Sequence, residues 1–266
     1  MADNRPPMLQ NSLIVAAHPD DELLWFGAIL KQVDQVIVVF EDFWPDPKIG
    51  PARAKALDNF PRDNVSSLRM AEAATYGCAN WDNPQVSPFG IELGWQCQLR
   101  DAKQSVLRIL GRSNAPKDGI RTNYRQNFDA LSESLRGKLT PDMNVFSHNP
   151  WGEYGHEDHV QVHRVLSDLR EEIGFTLWMT NYCTERTLPL AKTYFDTAEP
   201  QYQVLSVDKQ FADQVAQVYR DAGCWTWADD WKWFNSECYM QAPKSQTRLK
   251  GQGHLFPLNL FNIDPT

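Results

Sequence analysis

The 266-residue chain has no C-x-x-C pair, no Lys/Arg-dense segment, no internal repeat or low-complexity tract, and no recognisable linker. It also has no apolar stretch approaching the roughly 18 residues a membrane helix needs. Each absence excludes something. The five cysteines (78, 97, 183, 224 and 238) are an odd, unpaired set, which reads as reduced thiols rather than a disulfide framework or a thiolate zinc site. With 26 basic against 34 acidic residues the formal charge is −8, and no basic run offsets it. That argues against nucleic acid or an anionic membrane as partner. The start, Met1-Ala-Asp-Asn-Arg-Pro-Pro, lacks a basic region leading into an apolar one, so the reading expects a cytoplasmic protein with no membrane span. Without a linker, residues 1–266 read as a single domain, long enough for a substantial core.

What is present is ordinary in bulk, with 42 % hydrophobic and 23 % charged residues, so a soluble globular fold is expected. Ten tryptophans are many, but aromatic side chains serve cores, interfaces and sugar-binding faces alike. The telling stretch is Ser12-Leu-Ile-Val-Ala-Ala-His18-Pro-Asp20-Asp21-Glu22, where an apolar run ends in a histidine and three consecutive carboxylates. Burying three adjacent acids without partners is costly, so they belong at a mouth or around a cation. Far downstream, His156-Glu157-Asp158-His159 forms a second polar cluster.

Residues 12–17 read as a strand buried on both faces, 23–33 as a helix and 35–41 as a second strand. This βαβ unit puts His18–Glu22 at the carboxyl end of its first strand, the edge where open α/β sheets bind ligands. Residues 42–62 read as a long loop. Asn64 to Tyr76 reads as a helix ending at Gly77, with Arg69 and Glu72 at i, i+3 spacing. Residues 79–121 read as loop or insertion with a helix near 101–111, and 124–138 as a helix. Met143–Ser147 reads as a buried strand, followed by a Gly/Pro loop into His156 and a helix over 158–172. Further strands are expected at 175–179 and 202–207. Asp208 caps a helix with Phe211, Val215, Val218 and Tyr219 on one face and Gly223 beyond its end. The segment CWTWADDWKWFNSECY packs four tryptophans into nine residues, and 241–266 reads as loop with one strand at most.

A zinc ion with three His or carboxylate ligands keeps a fourth position for water. His18 and Asp21 can converge on one ion across the Pro19 turn while Asp20 points elsewhere, and His159 can supply a third ligand. Mixed imidazole and carboxylate ligation suits Zn²⁺, with Fe²⁺ as a second choice. Asp20 and His156 then carry no ligand duty. They suit a general base and a donor to an oxyanion or leaving amine, with Asp158 bonded to the His156 ring. Alternatives stand beside this reading. The acidic turn alone also suits a helix cap or a Mg²⁺ site, and His163 shares a helical face with His159 at i, i+4. H-E-D-H is one residue short of the H-E-x-x-H metalloprotease pattern.

Ala17-His18-Pro19-Asp20-Asp21-Glu22 resembles the AHPDDE signature of the PIG-L/LmbE-like de-N-acetylases, and Gly155-His156-Glu157-Asp158-His159 resembles their G-H-P-D-H motif. Arg69 with Glu72 resembles the family's R-x-x-E helix. The resemblance covers about residues 10–170, leaving an extension over about 175–266 unmatched. It implies an α/β, Rossmann-like three-layer fold with a mostly parallel sheet and the active site at the carboxyl ends of its strands. It also implies zinc-dependent removal of an N-acetyl group from an N-acetylglucosamine-type conjugate. Zinc ligation then falls on His18, Asp21 and His159, the general base on Asp20, the oxyanion or leaving-group partner on His156, and a sugar contact on Arg69. Glu157 stands where the family usually has Pro and is expected to raise the pKa of His156. Trp25, Trp44, Trp95 and Trp151 are candidates for stacking on a sugar, Trp151 the best placed of them. The expected partner is a small-molecule or glycan substrate bearing an N-acetyl group, with a second copy of the chain a further candidate. One rival is a zinc amidase of the same scaffold acting on another N-acylated molecule. Another is a non-enzymatic nucleotide-binding module, for which the glycine-rich phosphate loop is missing.

Overall fold

The computed structural model describes residues 4–109, 118–195, 201–242 and 257–262. In chain order the strands are β1 Ser12–Ala16, β2 Gln35–Phe40, β3 Val65–Met70, β4 Val86–Ser87, β5 Gly90–Ile91, β6 Asn144–Ser147, β7 Thr176–Met179, β8 Tyr182–Cys183, β9 Tyr202–Ser206, β10 Ser236–Gln241 and β11 Asn259–Leu260. The helices are α1 Asp21–Leu24, α2 Ile49–Asp58, α3 Trp95–Ile109, α4 Ile120–Arg136, α5 Glu157–Ile173, α6 Leu188–Phe195 and α7 Lys209–Ala222.

Seven strands form one sheet in the order β3-β2-β1-β6-β7-β10-β9. The first five are parallel, while β10 runs antiparallel to both β7 and β9. Leu13, Val15 and Ala17 face a core shared with α4 and α5, whereas Ile14 and Ala16 face one shared with residues 23–33, α2 and α7. The period-2 alternation of a strand thus divides one apolar run between two helical layers, giving the three-layer α/β fold. After β1 the chain builds outward to β3, then returns to place β6 on β1's other side. The gap between the carboxyl ends of β1 and β6 is therefore a topological switch point, where such sheets bind ligands.

Three expectations are corrected. The helix over 23–33 is only one turn, α1, followed by turns. The Ala28 amide donates to Glu237 (2.9 Å) instead of continuing the helical ladder. Residues 64–76 are not helical: Val65–Met70 pairs with β2 as an edge strand, and positive φ at Arg69 (53°) and Ala74 (60°) stops any helix there. The expected loop over 42–62 contains α2, whose Gly50 and Pro51 sit in the first turn, where a missing N–H costs little. Of the tail read as loop, residues 243–256 and 263–266 lie outside the described residues, and β11 pairs with β8.

Candidate metal centre

The β1–α1 turn delivers the first cluster. Asp20 adopts φ 100°, a left-handed conformation that turns its carboxylate away from that of its neighbour. Asp21 reaches back over the turn. Its Oδ2 accepts the His18 amide (2.8 Å), and its Oδ1 accepts the Trp25 indole N–H (2.7 Å). The second cluster comes from the loop after β6, which doubles back tightly. A Cβ on Gly152 (φ 65°) would stand 2.6 Å from the His156 carbonyl oxygen, so only glycine closes this turn. His156 then caps α5, its Nδ1 accepting the Asp158 amide at 3.2 Å.

Around Asp21 Oδ2 stand three imidazole nitrogens: His18 Nδ1 at 3.1 Å, His159 Nε2 at 3.2 Å and His148 Nε2 at 3.6 Å. Among the described residues, three groups of side chains are close enough to hold an ion: His18/His156/His159, Asp21/His148/His159 and His18/Glu72/Asp158. Hydrogen-bond partners assign the tautomers and decide among them. His148 Nε2 accepts the Ala17 amide (2.8 Å) and its Nδ1 donates to Glu153 Oε2 (3.1 Å), so it has no lone pair to offer. His156 Nδ1 is an acceptor, so the neutral ring carries its proton on Nε2 and is a donor, not a ligand. His159 Nδ1 donates to Glu153 Oε2 (2.8 Å), which leaves its buried Nε2 a lone pair and no hydrogen-bond partner. His18 Nε2 faces Asp158 (3.4 Å) and Glu72 (3.7 Å), which suits an N–H there and leaves Nδ1 a lone pair toward Asp21. Arg53 Nη1, 3.4 Å from Glu72 Oε1, already supplies positive charge on that side.

His18 Nδ1, Asp21 Oδ2 and His159 Nε2 therefore converge as lone-pair donors. Their 3.1 and 3.2 Å separations compare with the roughly 3.3 Å edge of a tetrahedron with zinc–nitrogen bonds near 2.05 Å. The electrostatics agree. Burial lowers the proton affinity of both imidazoles, yet Asp158 and Asp21 raise the His18 pKa to about 10, and Asp21 and Glu153 raise that of His159 to about 9. Burial works against ionisation of Asp21, but His159 and His18 hold it well below the usual range. A site of this kind requires positive charge, and its donor set fits a divalent ion.

Asp20 stands apart from the trio, its Oδ2 accepting from the exposed Thr226 hydroxyl (3.1 Å). Burial, reinforced by the charge of Asp21 and opposed by Arg53 and His18, pushes its pKa up to about 7. His156 is shifted the other way. Burial and the neighbouring His159 and His18 hold it well below its ordinary value, so it is a neutral donor. The expectation that Glu157 raises the His156 pKa is therefore corrected. The Glu157 carboxylate turns away to accept the amides of Ala79 (2.7 Å) and Gly77 (3.1 Å).

Other expected residues stand elsewhere. The Asp158 carboxylate does not hold the His156 ring. It accepts from Thr75 (2.8 Å) and faces His18. Trp151 is fully buried, its indole N–H bonded to the Tyr182 carbonyl (2.8 Å), so it presents no face to a sugar. Trp25 is likewise buried and fixes Asp21. The Arg69 side chain is 77 % exposed and pairs with Glu41 (3.8 Å), while the arginine that meets Glu72 is Arg53. His163 belongs to none of the three groups close enough to hold an ion, and its Nδ1 donates to the His148 carbonyl (2.8 Å). Glu153, His148 and Arg53 are the residues that sequence reasoning missed. Only the position of the first two, in the loop between a buried strand and the second motif, hinted at them.

A family model described as PIG-L: GlcNAc-PI de-N-acetylase matches residues 13–169. Among relatives, a 1D-myo-inositol 2-acetamido-2-deoxy-alpha-D-glucopyranoside deacetylase of Saccharomonospora viridis is 27 % identical over 160 residues, 58 % of this chain and 56 % of that protein. One of the same description from Saccharopolyspora erythraea, numbered 1, is 28 % identical over 169 residues, 60 % of this chain and 52 % of that one. The chain thus spans about half the length of the relatives it matches. A solved deacetylase from the biosynthesis pathway of teicoplanin is similar with a TM-score of 0.48 and 15 % identity, over 86 % of this chain and 96 % of that one. Among the described residues no helix is long and apolar enough to cross a membrane.

Proposed function

The chain belongs to the PIG-L family, and on that premise we propose that it is a metal-dependent amide hydrolase. Its substrate is an N-acetylglucosamine-type conjugate, from which it releases acetate and a free amino sugar. One observation carries this reading. Three buried lone-pair donors, His18 Nδ1, Asp21 Oδ2 and His159 Nε2, converge beside a carboxylate and an imidazole that hold no ligand position. The expected ion is Zn²⁺, with Fe²⁺ the second candidate for this mixed donor set.

Once bound, such an ion supplies Lewis acidity that polarises the acetyl carbonyl and acidifies a water molecule. The chain's own groups do the rest. Asp20, with a pKa near 7, accepts the proton of the attacking water. The neutral His156 ring presents Nε2–H to the negative charge developing on the carbonyl oxygen. As the carbon–nitrogen bond breaks, the departing amine takes a proton from Asp20 or His156. Trp25 fixes Asp21, and Glu153 fixes His159 in the tautomer the role requires. The chain acts as one domain, with the segment beyond residue 175 forming part of the site through Thr226. Action on another N-acylated molecule is the rival reading.

The test couples elemental analysis of the purified chain to acetate release over a panel of N-acetylglucosamine conjugates. About one zinc per chain and acetate from at least one glucosaminyl conjugate are expected. His159→Ala should lose both metal and acetate. No acetate from any conjugate by the metal-loaded chain would overturn the proposal.

A further inference from the structure

A surface helix ordinarily turns its apolar stripe to the core and its polar side to solvent. Helix α3 does the reverse. Its inward side is small or polar: Cys97 and Gln104 are buried, Arg100 donates to the Ala74 and Tyr76 carbonyls (both 2.7 Å), and Asp101 accepts the Ile120 amide at the start of α4 (3.0 Å). Its outward side is apolar. Trp95 is 64 % exposed, Leu99 58 %, Val106 59 % and Ile109 86 %, with Ala102 exposed in their midst. The fold of one chain accounts for the inward bonds and leaves the outward stripe unpartnered among the described residues.

The period of the stripe says what covers it. From Trp95 to Ile109 the steps are 4, 3, 4 and 3 residues, the 3.5-residue repeat of a seam between two helices. The seam is narrow, since Gln98, Lys103 and Ser105 are exposed alongside it. A helix lying in a membrane surface carries a broader apolar face rimmed by basic side chains, whereas Gln98 and Ser105 are neutral. The four large side chains leave roughly 500 Å² of apolar surface, as much as the largest patch on a typical monomer. Two such faces would bury about 1,000 Å², where specific interfaces begin.

We propose that α3 is a dimer interface, on which two copies of this chain pair their α3 helices antiparallel through Trp95, Leu99, Val106 and Ile109. A twofold axis near Ala102 sets each stripe along the other, and the small alanine lets the helices approach where they cross. Antiparallel pairing also lays the positive end of each helix dipole beside the negative end of the other. The chain's charge of −8 opposes self-association in general, but Asp101, the one acid of α3, is bonded to the start of α4. Acid therefore does not meet acid across the seam.

The test measures the mass of the full purified chain by light scattering and sedimentation equilibrium over about a hundred-fold range of concentration. A mass of two chains is expected. Leu99→Glu and Val106→Glu should each raise the dissociation constant about 100-fold or more, because pairing would bury the new charge in both copies. Leu99→Met and Val106→Ile, which keep the seam apolar, should stay within about five-fold of the parent. Both glutamates fall at exposed positions, so an unchanged circular dichroism spectrum is expected and separates lost pairing from misfolding. A monomer at every concentration, or a dimer that both glutamate variants leave intact, would overturn the proposal. So would a monomer that sediments with phosphatidylcholine–phosphatidylglycerol vesicles and loses this binding in Leu99→Glu, which would make a membrane surface the occupant. Mass is the readout throughout, so the outcome is independent of the deacetylase reading.

Discussion

Glu153→Gln is the substitution that most directly probes how the centre is assembled. Glu153 is fully buried, with φ 50°. Its Oε1 accepts the Asn149 amide (3.0 Å) and the Thr180 hydroxyl, and its Oε2 accepts Nδ1–H of both His148 (3.1 Å) and His159 (2.8 Å). Burial works against its ionisation, but the two imidazoles outweigh that and hold its pKa at about 2. A glutamine must keep its oxygen toward the Asn149 backbone amide, so its NH₂ lands against the two Nδ1 atoms. Each imidazole can then satisfy that NH₂ only by moving its proton to Nε2. For His148 this sets Nε2–H against the Ala17 N–H, two donors in a place that now holds a 2.8 Å bond. For His159 it removes the lone pair aimed at the metal position. Two charge-assisted hydrogen bonds, worth about 1.5–3 kcal/mol each, are lost or inverted. The variant should therefore lose roughly 3 kcal/mol or more, a fall in Tm of roughly 6–12 °C at this chain size. Zinc affinity, read by competition with a chromophoric chelator, should drop about 10- to 100-fold, the usual cost of removing a carboxylate behind a ligand histidine. If the variant binds zinc as tightly as the parent and melts at the same temperature, the tautomer assignment on which the ligand set rests is wrong.

Asp20→Asn, chosen because asparagine tolerates the left-handed backbone at this position, should keep its metal and lose about 10²- to 10⁴-fold in kcat. Since Asp20 acts ionised and its pKa is raised to about 7, kcat/KM of the parent should climb with pH to a limb near neutrality and flatten above it. Unchanged turnover would dismiss Asp20 as the base. Glu237 is buried, accepting from Ala28 (2.9 Å), Tyr182 (2.8 Å) and Tyr239, and burial raises its pKa to about 7. The folded state then binds the extra proton between its ordinary value near 4.5 and pH 7, so stability falls as pH rises through that window, by at most roughly 3 kcal/mol. Glu237→Gln should flatten this part of the Tm–pH curve, and identical curves for variant and parent would count against the assignment.

What was legible in the sequence follows from how locally each feature is encoded. β1, β6, β7, α5 and α7 were visible because burial imposes a period or an unbroken apolar run on neighbouring residues. Residues 25–33 were misread because the interruption comes from Glu237, whose carboxylate captures the Ala28 amide across 209 positions. The i, i+3 spacing of Arg69 and Glu72 has meaning only on a helix. In β3 and the turn beyond it, that spacing sends one side chain to solvent and the other to Arg53. His18, Asp21 and His159 could be named because they belong to compact motifs. Glu153 could not, since an acid in a Gly/Pro loop shows its importance only when both imidazoles are seen to share it.

The buried acids also explain how a site so rich in negative charge is compatible with folding. Each has its own acceptor duty, and together their bonds draw α2, α7 and residues 75–79 around the site. Glu22 bonds Tyr219 of α7 (2.6 Å), Glu157 bonds the 77–79 amides, Asp158 bonds Thr75, Glu72 meets Arg53 of α2, and Asp21 bonds Trp25. A buried carboxylate is tolerable when its lone pairs are filled in this way. Because the bonds run outward, the inward atoms of Asp21, His18 and His159 are left facing one another around a position that requires positive charge. A divalent ion would supply that charge in place of the imidazole protons. The metal position is thus a consequence of how these elements are stapled together, and a substitution that loosens any one staple should be felt first as weaker metal affinity.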